Sequence, residues 1–73
     1  MSLLDVKREL MESSMIKSVG WDRVLIVEFN NGSVYTYPLP REYYEGFLTA
    51  ESPGKYFIQY VKSATATKIQ EAS

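Results

Sequence analysis

The stretch VLIVEFNNGSVYTYP, residues 24–38, decides the fold. β-branched and aromatic residues run from Val24 to Phe29, Asn31 and Gly32 supply turn chemistry, and Ser33 to Tyr37 returns with alternating polarity. That is an antiparallel hairpin. Pro38 has no amide to give to a ladder, so the returning strand ends there or runs along an edge. Two registers are open. A two-residue Asn31-Gly32 loop sets Val27 opposite Thr36 and Ile26 opposite Tyr37. A three-residue loop with Gly32 as its bulge sets Phe29 opposite Ser33, Val27 opposite Tyr35 and Leu25 opposite Tyr37. The second is preferred, because it gathers Leu25, Val27, Phe29, Tyr35 and Tyr37 on one face and leaves Glu28 and Thr36 on the other.

Upstream, MIKSVGWD (residues 15–22) reads as a further strand that turns through Gly20 to Arg23 into the hairpin. Before it, Leu3, Leu4, Val6, Leu10 and Met11 recur at three- and four-residue spacing among charged residues, which predicts an amphipathic helix over residues 1–12. Ser13 and Ser14 break that pattern. Asp5, Glu9 and Glu12 fall near one face of the predicted helix, and without further acidic ligands close by they read as a solvated face, not a cation site.

Downstream, Pro40 suits a first helical turn, and Arg41 to Ala50 spaces Tyr43, Tyr44, Phe47 and Leu48 along one side. Gly46 inside that helix implies a close approach of backbone to a neighbour, expected to be the sheet. Ser52 is an N-cap and Pro53 a first helical residue for a last helix with apolar positions at Phe57, Tyr60, Val61 and Ala64. Phe57 and Val61 are expected to point inward. The expected architecture is α+β: a three-stranded antiparallel β-meander packed against two C-terminal helices, plus an extra N-terminal helix. Its divisions are the helix at 1–12, a domain at 13–64 and a fraying tail at 65–73.

Composition narrows the chemistry. A chain of 73 residues is one small domain, and it contains neither cysteine nor histidine. Disulfides, thiolate metal sites and cysteine nucleophiles are excluded, along with the commonest general base and transition-metal ligand. No metal, cofactor or catalytic residue is expected. No apolar run approaches the twenty or so residues of a membrane span, and MSLLDVKREL lacks the pattern of a signal peptide, so no membrane association and a cytoplasmic setting are expected. The formal charge of −1 offers no global attraction to nucleic acid. Residues 52–70, however, hold Lys55, Lys62 and Lys68 without an acid, which makes the aromatic-rich segment the locally basic one. Its Gly54-Lys55 pair follows a helix and lacks the earlier glycine of a P-loop, so it is not a nucleotide-triphosphate loop.

The order of these parts resembles the KTSC domain, a small module found at the C-terminus of some lysyl-tRNA synthetases and alone in small bacterial and phage proteins. The resemblance covers about Ser13 to Lys62. It rests on Ser14 and Ile16; Val19-Gly20 with Trp21; Leu25, Val27 and Phe29; Gly32; Tyr35 and Tyr37; Pro40; Tyr44; and Ala50, Ser52, Gly54 and Tyr56-Phe57. Trp21 stands where the family usually has tyrosine, Pro38 interrupts the end of the third strand, and the tail lacks an expected tyrosine past Lys62. The resemblance carries no catalytic residue set. Attachment to a tRNA enzyme implies RNA contact by association alone.

The expected function is that of a small non-enzymatic binding or interaction module acting through a protein partner or self-association. Its candidate interface is Leu3, Val6 and Leu10 with Leu4 and Met11 beside them, unless that stripe covers the sheet face the last helices leave open. The alternative is RNA or other nucleic acid. Trp21, Tyr35, Tyr37, Tyr56 and Tyr60 would then be stacking platforms and Lys17, Arg23, Lys55 and Lys62 phosphate contacts, although in so small a domain the same rings are needed for the core. A third reading is small-ligand binding or nucleotide sequestration, with Ser52 and Gly54 beside Lys55 at the start of the last helix holding an anion.

Overall fold

A computed structural model describes residues 2–72. In it the hairpin takes the three-residue loop: Leu25 pairs with Tyr37 and Val27 with Tyr35, while the Phe29 amide donates to the Ser33 carbonyl at 2.9 Å. Gly32, at φ 96°, holds the bulge with a conformation that side chains disfavour. Around this pair the strands β1 (Glu9–Leu10), β2 (Ile16–Trp21), β3 (Leu25–Phe29), β4 (Val34–Tyr37) and β5 (Thr67–Gln70) form an antiparallel sheet in sequence order. Between β4 and β5 come helix α1 (Arg41–Thr49) and helix α2 (Pro53–Tyr56), the latter continuing as a π turn over Phe57–Val61. The Lys62 amide closes that turn on the Phe57 carbonyl at 2.8 Å.

The α+β class with an antiparallel sheet and two helices holds, but the sheet has five strands where three were expected, and the last of them follows the helices. Both additions come from segments assigned otherwise. Residues 1–12 do not form a helix: a single 3-10 turn at Leu3–Asp5 is followed by β1, which pairs Glu9 with Val19 and Leu10 with Ser18. A short isolated helix is marginal in water, and the open edge of β2 satisfies the backbone better. Gly20 makes the pairing possible, since a Cβ there would lie 2.8 Å from the Lys7 carbonyl oxygen. At the other edge, Thr67–Gln70 pairs with β4 instead of fraying. Gln70 Nε2 donates to the Gly32 carbonyl at 2.9 Å, and the Lys68 ammonium sits 5.6 Å over the Tyr35 ring. Met1 and Ser73, the outer ends of the two expected segments, lie outside the described residues.

The core lies between the sheet and the helices. Ile16, Val19, Leu25, Val27 and Tyr37 pack against Phe47, Phe57 and Val61. Phe57 anchors the rings edge-on, 5.3 Å from Phe29 and 5.8 Å from Tyr37. Gly46 does admit a close neighbour, but that neighbour is the Tyr56 phenol from α2 and not the sheet. The opposite sheet face carries buried Ser18, Ile26, Val34 and Thr36. There the Ser18 hydroxyl donates to Glu28 at 2.8 Å, and Arg8 reaches both Glu28 at 3.7 Å and the Leu4 carbonyl at 3.4 Å. The N-terminal segment is thereby tied to the face the helices leave open.

Candidate functional site

The bend between β1 and β2 is built by one serine. Ser13 Oγ accepts from the Met15 amide at 3.1 Å and the Ile16 amide at 3.3 Å, so the side chain replaces the ladder where the chain turns. The β3–β4 loop holds the bend from below: Asn30 Nδ2 donates to the Ser13 carbonyl at 2.9 Å, and the Asn30 amide to the Met15 carbonyl at 3.0 Å. The facing wall is the start of α2. Ser52 caps it by accepting from the Lys55 amide at 3.4 Å, and Pro53 is buried at the first helical position. Gly54 has no side chain to fill the space between the walls; a Cβ on it would lie 3.5 Å from Ser13 Oγ and 3.8 Å from the Met15 Cβ.

The result is a groove of about 410 Å³, with Glu12, Ser13, Ser14 and Met15 on one wall and Glu51, Ser52, Gly54, Lys55 and Ile58 on the other. Its size falls in the range of pockets that take small molecules or short segments of chain. The Ser13 and Ser52 hydroxyls each accept from backbone amides, which leaves each hydroxyl proton as a donor. Met15 is half-buried and Ile58 is 53% exposed, so the groove has an apolar floor and lip. The Glu51 carboxylate and the Lys55 ammonium, of opposite sign, share its rim.

Three of the sequence-predicted contact residues, Ser52, Gly54 and Lys55, meet here. The others do not. Tyr56 turns to the far side of α2, half-buried 4.6 Å from Phe47 and 5.0 Å from Tyr60 between ring centroids; burial first, then the phenols of Tyr43 and Tyr60, raise its pKa above the ordinary tyrosine value. Lys62 is exposed beyond the π turn. Lys17 lies 3.9 Å from Glu28 on the sheet, and Arg23 occupies the β2–β3 turn at φ 66°, at the opposite end of β2 from the bend. The proposed stacking rings are also dispersed into packing. Tyr37 is buried, Tyr35 is half-buried under Lys68, Trp21 donates its indole N–H to the Leu39 carbonyl at 2.9 Å, and of the five only Tyr60 is exposed.

The candidate interface separates as well. Leu10 is 77% exposed, Met11 packs on the core, and Leu3, Leu4 and Val6 are half-buried. The groove residues that sequence reasoning passed over are Glu12, Ser13, Ser14, Met15, Glu51 and Ile58. The signal was the adjacent serines, which read as a helix stop and serve as a turn that shapes a wall. Among the described residues no group of three or more Asp or Glu side chains gathers to hold a metal ion, and no helix is long and apolar enough to cross a membrane.

Comparison with known proteins bears on the same elements. The model of the KTSC domain matches residues 12–64. Among solved structures, the crystal structure of a KTSC domain protein from Yersinia pestis is similar at 31% identity and a TM-score of 0.79, over 89% of this chain and 99% of that one. No curated protein matches. Both walls of the groove lie inside the matched span, whereas β1 and β5 lie outside it.

Proposed function

The chain belongs to the KTSC domain family, and from that premise we propose that it is a non-enzymatic interaction module that docks a short segment of a partner protein in the groove. The observation that carries this reading is the groove's mixed lining: hydroxyl donors from Ser13 and Ser52, the carboxylate of Glu51, the Lys55 ammonium, and the apolar surface of Met15 and Ile58. A polypeptide offers carbonyls, side chains of both signs and apolar groups within a few ångströms, and this surface complements that mixture. A phosphate backbone fits less well, because the Glu51 carboxylate shares the groove with its one lysine and Lys17 lies against Glu28 on the sheet.

The hydrogen bonds made by the Ser13 and Ser52 hydroxyls are with backbone amides, which supports a scaffolding use of both and not a nucleophilic one. The reading includes a cytoplasmic setting, in keeping with a chain without cysteine. The test is a fluorescence-polarisation array of short peptides varied in charge and apolar content, with single-stranded RNA as a parallel arm. Peptides carrying an apolar residue next to a charged one are expected to bind, and Ile58→Glu to abolish that binding while the thermal melt is unchanged. Absence of peptide binding, binding indifferent to Ile58→Glu, or tighter binding of RNA with a steep salt dependence would each sink the proposal.

A further inference from the structure

The free edge of β1 points to a second copy of this chain. Just past β1 the Met11 amide donates to the Lys17 carbonyl, and within it Glu9 pairs with Val19, so residues 9 and 11 direct their backbone groups toward β2. Antiparallel alternation then turns the backbone groups of Arg8, Leu10 and Glu12 outward, where they form an edge that is unpaired among the described residues. The same alternation puts the Leu10 side chain on the helix-free face of the sheet beside Ser18, and it is 77% exposed there.

We propose that two copies pair β1 against β1 about a two-fold axis through Leu10. In that register Leu10 faces Leu10 of the second copy, and Arg8 faces Glu12 of the second copy on each side of the axis. An apolar pair at the centre is flanked by two opposite-charge pairs, and the pattern is self-complementary. Arg8 has donors to spare for this: its contacts within the chain, to Glu28 at 3.7 Å and the Leu4 carbonyl at 3.4 Å, are long and use two nitrogens of the guanidinium. The outer edge of β5 is less suited, since Lys68 and Glu71 pair with each other at 3.4 Å and set charges along it. A β1-to-β5 contact is also heterologous and does not close. The closed dimer joins two five-stranded sheets into one continuous sheet.

Sedimentation velocity on the full chain from roughly 10 µM to 1 mM tests it. A reversible monomer–dimer equilibrium is expected, with no larger species. Leu10→Lys places two ammonium groups at the axis and is expected to raise the dimer Kd by about tenfold or more; the exposure of Leu10 in the single chain predicts an unchanged melting temperature for that variant. Glu12→Arg is expected to weaken the dimer likewise, and amide exchange at Leu10 to slow as concentration rises. A monomer at every concentration, open-ended assembly, or a dimer whose Kd ignores Leu10→Lys overturns the proposal.

Discussion

Tyr37 shows how far one side chain reports on the packing around it. It is 3% exposed, and burial, with the Tyr35 phenol as a lesser contribution, pushes its pKa from 10.0 up to about 12. The neutral phenol is therefore favoured in the folded state, and this contribution to stability is intact below pH 10, then lost as pH rises through 12. Tyr37 is expected to contribute on the order of 2 kcal/mol to the stability lost across that window in urea titrations, and Tyr37→Phe to lose correspondingly less than wild type. Gly46 belongs to the same scale. The need for a residue without a side chain was legible inside a helical pattern, but its neighbour, the Tyr56 phenol, was not, because the two residues sit on different helices whose packing no local rule specifies.

At the scale of elements, the two strands at the sheet's edges have weak local signals and strong tertiary reasons. β1 reads as helix by spacing, yet it takes the edge of β2 because the Gly20 notch lets the Lys7 carbonyl and Arg8 side chain approach. Gly20→Ala is accordingly expected to lift β1, with a cost of about 1 to 3 kcal/mol in thermal unfolding and faster hydrogen exchange at the Met11 amide. An unchanged exchange rate there would remove Gly20 from that role. The start of α2 behaves in the opposite way. Its Ser52 cap and Pro53 first turn follow directly from residue type, and the structure has both.

For the whole molecule, the consequence is a sheet with different cover on its two faces. Helices and aromatic rings close one, and the N-terminal segment is tied across the other through Arg8, Glu28 and Ser18. Residues 2–10 are therefore part of the fold. Deleting them is expected to lower the melting temperature by several degrees at about 4–8 °C per kcal/mol for a domain of this size, whereas an independent N-terminal helix predicts no change. The groove is also a property of the whole chain, since its walls come from residues 12–15 and 51–58 and meet only when α2 packs back beside the bend.

What the sequence determined alone was set by neighbours along the chain: the hairpin, with a preference between its two registers that the structure bears out, the Ser52 cap, the inward Phe57 and Val61, and the family resemblance they compose. Turn chemistry and two-residue alternation act within a few residues, so they are readable in one dimension. The tertiary structure decided the rest. It turned a helical spacing and a sparse tail into edge strands, gathered Ser13 and Met15 against Gly54 and Lys55, and sent Lys17 and Arg23 away from them. The physical reason is that unpaired strand edges and empty space beside a glycine exist only after the central strands and helices have packed, and short segments with weak preferences of their own then follow the hydrogen bonds and contacts on offer.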